Sequence, residues 1–223
     1  MTLLLHGIVH ADHPLPAGLR AVVRDDLAVV VSDIGSAEPT AEDARSHLDV
    51  LCGLITAGPV LPLRFASTAA DDDSVRDNAL SADPVAVRHE LDRLTGMAEV
   101  HVQLAFDETA VLTALLAEDP ALARAVTGFE ATVERGRHIA DRVEAWTARQ
   151  AAALLRAIAD DLVRLADHDD GEQRWALLVR HDELDRLAES IGALPVTATA
   201  IGPLPPYNFV SLPAKPVSRW GFQ

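Results

Sequence analysis

Glu99-Val100-His101-Val102-Gln103-Leu104-Ala105-Phe106 is the clearest strand in the sequence, and the rest of the fold can be worked out from it. Three apolar residues, Val100, Val102 and Leu104, alternate with polar ones, which is the period of two expected of a strand with one face in a core. The residues before this strand and those after it follow different patterns. The strand therefore stands between an N-terminal and a C-terminal part of the fold.

The N-terminal part alternates between short strands and helices. Two apolar runs flank the charged turn Arg24-Asp25-Asp26, which is typical of a hairpin. Pro62 cannot donate a ladder hydrogen bond, so the strand that contains it is expected at a sheet edge or a bulge. The predicted elements are a strand at 3–9, a hairpin at 19–32, a helix at 39–56, a short strand at 60–65 and helices at 71–80 and 83–94. Helices that fall between strands of one sheet favour an α+β ferredoxin-like arrangement.

The C-terminal part begins with a long helical pattern. Apolar residues recur at every third or fourth position from Glu130 to about Asp167 without a proline, which predicts one helix of about 55 Å. Residues 107–128 also carry helical signals and could supply the second arm of a helical hairpin. After an acidic turn, the sequence predicts a strand at 175–179, a helix at 182–191 and a strand at 196–201.

The end of the chain is an apolar tail. Five of the 13 prolines and four of the nine aromatic residues lie between Pro203 and Gln223. A tail of this composition is expected to lie against the body of the protein or against a partner.

Composition and charge exclude several classes of protein. The chain has 223 residues, with 19 Lys and Arg against 34 Asp and Glu, and a net charge of −15. Phosphate binding requires clustered Lys and Arg, so neither nucleic acid nor an anionic membrane surface is an expected partner. The single cysteine forms no intramolecular disulfide and no cysteine-based zinc site. No stretch reaches the roughly 18 apolar residues of a membrane span and no basic leader is present, so a cytoplasmic protein is expected.

The histidines and the single cysteine are not arranged as a metal site or as catalytic residues. His6, His10 and His13 lie close in sequence, but residues four apart on a strand are about 13 Å apart, so packing or surface roles are favoured over a metal site. His47 is expected to be a hydrogen-bonded core residue. Cys52 lies among apolar helix residues and is expected to be buried and inert.

The charged candidates are also expected to be structural. Arg64 lies among the apolar residues of its strand, so we expect it to be partly buried, and a structural ion pair is favoured over an anion-binding site. Asp71–Asp73 and Asp169-Asp170 lack calcium-loop spacing and are expected to be solvated turns. The sequence predicts no catalytic residue, no metal site and no cofactor.

Four segments together resemble the gas vesicle protein GvpF/GvpL family. They are Leu5-His6-Gly7-Ile8-Val9, Asp26-Leu27-Ala28-Val29-Val30-Val31-Ser32-Asp33, the block Gly58-Pro59-Val60-Leu61-Pro62-Leu63-Arg64-Phe65 downstream of His47, and Gly202-Pro203-Leu204-Pro205-Pro206-Tyr207-Asn208-Phe209-Val210. The combination of the last two blocks carries the resemblance. Family members commonly have an aromatic residue near Leu4 or His6, a Trp in place of Leu204 and a Gly in place of Ala66, so an F-like or L-like member is left open.

The resemblance implies a non-enzymatic protein of two α+β domains. These are a modified ferredoxin-like domain at residues 1–106 and a C-terminal domain at 107–223 that carries the long helix or helical hairpin. The implied role is that of an accessory or minor structural protein of gas vesicle assembly, located in the cytoplasm and at the vesicle. Its implied partners are the hydrophobic shell protein GvpA and other accessory Gvp proteins, and a charged protein that covers such an apolar chain could keep it dispersed.

Two surfaces are candidates for these contacts. The edge strand beside Val60–Phe65 could pair with a strand of the shell protein, and the long helix around Trp146 could dock other gas vesicle proteins. If the edge strand is used, deletion of the N-terminal half abolishes binding of the shell protein. The candidate partner-binding residues are Val60, Leu61, Leu63, Arg64, Phe65, Trp146, Tyr207 and Phe209.

Two alternatives come from other classes of protein. A regulatory protein built from ferredoxin-like domains would bind a small anionic molecule at Arg64, and thermal stabilisation by amino acids or nucleotides would favour it. A hydrolase would use carboxylates such as Asp33 and Glu42, for which no motif gives support.

Overall fold

The computed structural model describes residues 2–34, 40–80, 83–166 and 171–212. Within them the chain forms six α-helices and two antiparallel sheets, which confirms the predicted α+β class. The chain divides into two compact units. Among the described helices, none is both long enough and apolar enough to cross a membrane.

The first unit is built on a five-stranded sheet. Its strands are β1 (Thr2–His10), β2 (Arg20–Arg24), β3 (Leu27–Ile34), β4 (Leu61–Pro62) and β5 (Thr68–Ala69). The strand order is β2-β3-β1-β4, and β5 also pairs with β1. All residues of β1 from Leu3 to Val9 are buried, so this strand forms the centre of the unit. The predicted first strand and hairpin are both present, and the hairpin turns at Asp25, whose φ is 57°.

A β-bulge interrupts the pairing of β1 with β3. Leu5 pairs with Val31 and Gly7 pairs with Val30, so His6 is an extra residue between the two pairs. A bulge of this kind redirects a side chain relative to its neighbours along the strand. The bulge therefore sets the direction of His6, which the sequence pattern alone does not predict.

Gly7 allows β4 to approach β1 closely. A Cβ atom at this position would lie 2.6 Å from Cγ2 of Val60 and 3.0 Å from the carbonyl oxygen of Leu61. Cβ atoms essentially never come within 2.6 Å of another heavy atom, and a separation of 3.0 Å is tighter than nine in ten real Cβ contacts. Glycine is therefore required here for space, since the backbone of β4 cannot retreat without losing its pairing.

Three helices complete the first unit. They are α1 (Ala41–Ala57), α2 (Asp72–Asn78) and α3 (Pro84–Arg93). Thr40 caps α1 through reciprocal hydrogen bonds with Asp43, which satisfies donors that the first turn would leave free. One face of α1 packs on the sheet, and the shared core contains Val9, Ala28, Val30, Leu51, Leu54, Ile55, Val60 and Ala98.

The second unit contains a four-stranded sheet and three helices. The strands are β6 (Met97–Ala105), β7 (Asp161–Arg164), β8 (Gln173–Arg180) and β9 (Thr197–Leu204), in the order β7-β8-β6-β9. The helices are α4 (Glu108–Glu118), α5 (Phe129–Arg156) and α6 (Leu184–Gly192), and short 3₁₀ helices lie at Pro120–Ala123 and His181–Glu183. The inward residues of β6 and β8 pack with Ala151 and Leu155 of α5 and with Leu187 of α6.

The long helix is shorter than predicted. α5 ends at Arg156 after 28 residues, which corresponds to about 42 Å, and Asp161–Arg164 form β7 instead. Leu162 pairs with Leu177 of β8 and packs against the same core as Ile158. A spacing of four residues fits a helix, but it also fits a turn followed by an inward strand residue. The predicted end near Asp167 lies outside the described residues.

The division of the chain also differs from the predicted boundary at residue 106. The first unit comprises the described residues of 1–99 together with 180–182 and 203–212, and the second comprises those of 100–179 and 183–202. β6 hydrogen-bonds within the second sheet, so the boundary precedes most of that strand. The C-terminal segment, defined here as residues 203–211, returns to the first unit.

We predict that Gly7→Ala lowers the free energy of unfolding by about 1–3 kcal/mol, because the added methyl group overpacks the contact with β4. Urea denaturation would measure the change. Gly53→Ala is the matched control, since nothing lies within 4 Å of a Cβ at that helical position. That variant should be stabilised by about 0.5–1 kcal/mol through helix propensity. Equal stability of wild type and Gly7→Ala would contradict the close approach.

Candidate functional site

Segments that are far apart in the sequence meet in the first unit around two histidines. β1 supplies His6, α1 supplies His47, the loop after β4 supplies Leu63 and Phe65, and the C-terminal segment supplies Tyr207. Both histidines are buried, and their rings stack with centroids 5.0 Å apart. Phe65 packs edge-on against His47 at 5.6 Å. The blocks that carry the family resemblance are therefore in contact with one another.

The hydrogen bonds fix the tautomer of each histidine ring. The carbonyl oxygen of Leu63 can only accept, so Nε2 of His47, which lies 3.1 Å away, carries a proton. Nδ1 of the neutral His47 is then an acceptor, and it receives Nδ1–H of His6 at 3.1 Å. Nε2 of His6 accepts in turn from the Ser32 hydroxyl at 3.0 Å. The donors therefore run in one direction, from Ser32 through both histidines to Leu63.

Tyr207 joins this histidine network from the C-terminal segment. Its hydroxyl donates to the carbonyl oxygen of Leu63 at 2.9 Å and lies 3.2 Å from Nε2 of His47. Burial raises the pKa of Tyr207 to about 12. The phenol therefore remains a donor throughout the neutral pH range.

Both histidines are held neutral. Burial, together with the neighbouring His47, lowers the pKa of His6 to about 4. Burial also lowers the pKa of His47, against the opposing effect of the Leu63 carbonyl group. A proton added to His47 would make two Nδ1–H donors face each other across 3.1 Å. At neutral pH the network therefore holds these segments together rather than presenting a charged group.

Two buried carboxylates anchor the C-terminal segment. Glu99 is 1% exposed and accepts from the backbone N–H and the side-chain Nδ2 of Asn208, at 2.9 and 2.6 Å. Glu90 is 4% exposed, accepts from the backbone N–H of Ser211 at 2.7 Å and pairs with Arg93 at 2.8 Å. The pKa of Glu90 is lowered, first by Arg93 and then by the Ser211 N–H. If the segment left, these buried charges would lose donors, which is costly.

The predicted apolar tail lies against the first unit as far as it is described. Pro205 and Pro206 are buried, and the carbonyl oxygen of Phe209 accepts from Arg93. The rest of the tail, residues 213–223, lies outside the described residues. The described part is thus a structural component of the unit.

The edge beside β4 is shorter than the predicted strand at 60–65. Only Leu61 and Pro62 pair with β1, and Val60 and Leu61 are 1% and 2% exposed. The carbonyl oxygen of Leu63 is already bonded within the histidine network. In the described part of the chain, this edge therefore offers a much shorter ladder than the predicted strand.

The prediction that Arg64 is partly buried in a structural ion pair is wrong. Arg64 is exposed, and its guanidinium has no ion-pair or hydrogen-bond partner among the described residues. The strand ends at Pro62 and the chain turns at Ala66, whose φ is 64°, so the alternation of a strand no longer applies at this position. Within Val60–Phe65, Arg64 is the residue whose side chain is exposed.

Trp146 packs inside the second unit, where it joins the two arms of the predicted helical hairpin. Its Nε1 donates to Glu118 of α4 at 3.0 Å, and its ring meets Phe106 edge-on at 6.2 Å. Val111 and Leu115 of α4 belong to the same apolar cluster. Trp146 is partly exposed, so one part of its surface remains open.

The remaining histidines and the cysteine have separate neighbours. His10 lies 3.9 Å from Asp92, and Nδ1 of His13 lies 2.9 Å from the carbonyl oxygen of Pro14, so these rings and His6 do not converge. Cys52 is partly exposed rather than buried, because it lies at the margin of the α1 core face. Burial and a nearby carboxylate raise its pKa, so the thiol is a poor nucleophile at neutral pH.

Two of the acidic candidates make structural contacts. Asp71 caps α2, and Asp72 pairs with Arg20 at 2.7 Å, so this turn is not merely solvated. The carboxylates proposed for a hydrolase, Asp33 and Glu42, are exposed. The second acidic turn, Asp169-Asp170, lies outside the described residues.

Sequence reasoning missed the residues that anchor the C-terminal segment. Glu99 opens the alternating strand, and Glu90 shares a helix face with Val87 and Leu91. A carboxylate at an inward position signals that donors must be supplied from elsewhere. The signal does not reveal that Asn208, 109 residues away, supplies them to Glu99.

A family model described as gas vesicle synthesis protein GvpL/GvpF matches residues 5–211. "Gas vesicle protein F" of Streptomyces sp. (strain CB03234) is 30% identical over 241 aligned positions, which cover 94% of this chain and 100% of that protein.

Two crystal structures share the fold. GvpF from Anabaena sp. PCC7120 superposes with a TM-score of 0.72 at 17% identity, covering 96% of this chain and 97% of that one. GvpF from Microcystis aeruginosa superposes with a TM-score of 0.74 at 18% identity, covering 95% and 99%.

We predict that stability falls between pH 7 and pH 5. The pKa of His6 is lower in the folded chain than its usual 6.5, so the unfolded chain binds more protons and acid favours unfolding. For a folded-state pKa of about 4, the loss at pH 5 is about 2 kcal/mol. Urea denaturation at both pH values would measure it.

His6→Gln should show a smaller difference between the two pH values, because the titrating group is gone. His138→Gln is the control, since His138 is exposed on α5 and should leave the wild-type difference unchanged. Identical pH dependence of wild type and His6→Gln would refute the role of His6.

We further predict that Asn208→Ala destabilises the chain by about 1–3 kcal/mol, because a buried carboxylate loses a donor. Limited proteolysis should cut the C-terminal segment faster in this variant. Ser211→Ala is the control, since Ser211 meets Glu90 through its backbone N–H and should change stability by less than about 0.5 kcal/mol. Similar behaviour of the two variants would count against the anchoring role of Glu99.

Proposed function

The chain belongs to the GvpL/GvpF family of gas vesicle synthesis proteins, and on this basis we propose that it is a non-enzymatic accessory or minor structural protein of gas vesicle assembly. In this role it binds the hydrophobic shell protein GvpA and other gas vesicle proteins. It keeps the shell protein soluble and assists nucleation or growth of the vesicle, in the cytoplasm and at the vesicle. The family match over residues 5–211 is the observation that carries the proposal.

The charge of the chain supports a solubilising role. A net charge of −15 gives the chain strong electrostatic repulsion from its own copies and keeps it dispersed. A complex of this chain with an apolar subunit shares that charge. Such a complex therefore resists the edge-to-edge and patch-to-patch association that an apolar chain undergoes alone.

The state of the histidine network supports a non-enzymatic role. His6 and His47 are neutral and buried, and their ring nitrogens are engaged by Ser32, by each other and by Leu63. A general acid or base must reach a substrate with a titratable nitrogen. In this network the ring nitrogens form hydrogen bonds within the fold instead.

Two exposed features are proposed contacts for partners. Arg64 offers an exposed guanidinium in the loop after β4. The open part of Trp146, on the helical hairpin, is proposed to contact other gas vesicle proteins. Val60, Leu61, Leu63 and Tyr207 then act indirectly, since they position the loop that carries Arg64.

Co-expression of the tagged full-length chain with GvpA tests the proposal. We expect more GvpA in the soluble fraction than without the chain, and its co-purification with the tag. Arg64→Ala should reduce capture by about threefold or more without changing the melting temperature, since an exposed charge contributes to binding and not to packing.

Arg186→Ala is the matched control for Arg64→Ala, because Arg186 is an exposed arginine on α6. It should capture as much GvpA as wild type. Absence of GvpA from every purified sample would refute the proposed function, whereas full capture by Arg64→Ala would refute only the contact assigned to Arg64.

A further inference from the structure

β9 is a long edge strand with an exposed surface. It pairs with β6 on one side and lies at the end of the second sheet. Five of its first six residues, Thr197 to Gly202, are exposed, and Ala198 is partly exposed. The side chain of Ile201 is 65% exposed. A bare edge of this kind presents a row of backbone N–H and C=O groups that can pair with another chain.

The sequence around β9 carries no charge. No Asp, Glu, Lys, Arg or His occurs from Ser190 to Ala214, although charged residues make up 24% of the chain. Natural edge strands are protected by lysine, by proline or by inward charges. Thr197–Gly202 has none of these, and its first proline follows at position 203.

Other edges of the two sheets are protected. β7, at the opposite end of the same sheet, has four residues and carries Asp161 and Arg164. β2, at the end of the first sheet, has the Val23 carbonyl oxygen bonded by Arg76 Nε at 3.3 Å. In the described part of the chain, β9 therefore differs from these edges in length, exposure and charge.

We propose that Thr197–Gly202 is the docking edge at which an uncharged, extended segment of the hydrophobic shell protein adds as a further strand. This inference rests on the proposed function and adds a second site of contact to the one proposed at Arg64. Six residues offer about 20 Å of ladder. Beside the edge, a groove of about 630 Å³ is lined by His101, Gln103, Leu165, Thr199, Ile201 and Arg174, the last of which pairs with Glu172 at 3.9 Å. The groove can take side chains from one face of the added strand.

Charge and area favour the shell protein over a second copy of this chain. A second copy would bring a further net charge of −15 to the same edge. Pairing over six residues alone also covers much less than the roughly 1,000 Å² that a specific protein interface needs. An apolar partner avoids the repulsion and can extend the contact into the groove.

Hydrogen exchange on the full-length chain, alone and in complex with co-expressed GvpA, tests the site. We expect the outward-facing amides of residues 197–202, which do not bond to β6, to be protected in the complex and unprotected in the free chain. Ile201→Lys should reduce capture of GvpA by about tenfold, because a charge on the edge opposes strand addition. Val163→Lys on β7 is the control and should capture as much as wild type, since Val163 is 38% exposed on the protected edge.

Proline substitutions at two adjacent positions, made one at a time, distinguish an effect on folding from an effect on docking. Alternate residues of an edge strand direct their N–H groups to the sheet and to the open side. Of Thr199→Pro and Ala200→Pro, one therefore removes a bond to β6 and lowers the melting temperature. The other should keep the melting temperature and lose capture.

The possible results have distinct meanings. Capture of GvpA with protection elsewhere and normal capture by Ile201→Lys overturns the docking edge but leaves the proposed function. Protection of the outward-facing amides of residues 197–202 in the free chain, together with a dimer in light scattering, overturns it in favour of self-association. Failure of wild type to capture GvpA overturns the proposed function and this inference together.

Discussion

Two buried carboxylates, Glu90 and Glu99, make the first unit depend on the end of the chain. Besides Arg93, which lies next to Glu90 on α3, donors come from Ser211 and Asn208, which lie 121 and 109 residues away in sequence. A carboxylate that is nearly dry must be hydrogen-bonded, or it destabilises the fold. The first unit is therefore complete only when the C-terminal segment has docked, so residues 1–106 do not include everything that this unit needs.

The same docking completes the histidine network. The Tyr207 hydroxyl donates to the Leu63 carbonyl oxygen, which also accepts a hydrogen bond from Nε2 of His47. Nδ1 of His47 accepts in turn from Nδ1 of His6, which lies in the bulge of β1. Gly7 permits the close approach of β4 that brings Leu63 to this point. The sequence blocks that carry the family resemblance are far apart in the chain, but they contact one another in the fold.

Local patterns predict the local elements well. The apolar runs that flank Asp25, the alternation in β6 and the helix predicted at 39–56 each depend on residues that are near in sequence, and the structure contains all three elements. The errors arise where the decisive contact is distant. Leu162 fits a helix by spacing but pairs with Leu177 in a strand. Arg64 fits a strand by its neighbours, but the chain turns at Ala66. Carboxylates at inward positions indicate that Glu90 and Glu99 need hydrogen-bond donors, but they do not reveal that Ser211 and Asn208 supply them.

The distribution of charge along the chain has a physical consequence for how the protein behaves among its own copies. An unprotected edge strand such as β9 invites association. A net charge of −15, carried entirely outside residues 190–214, opposes the approach of another copy while leaving that edge uncharged. Added salt weakens the electrostatic repulsion between two copies of the chain, whereas it does not screen backbone hydrogen bonds to an uncharged strand in this way. Charge therefore selects against self-association at β9 and not against an apolar partner. This selectivity is what a protein requires if it is to hold an aggregation-prone subunit and remain soluble itself.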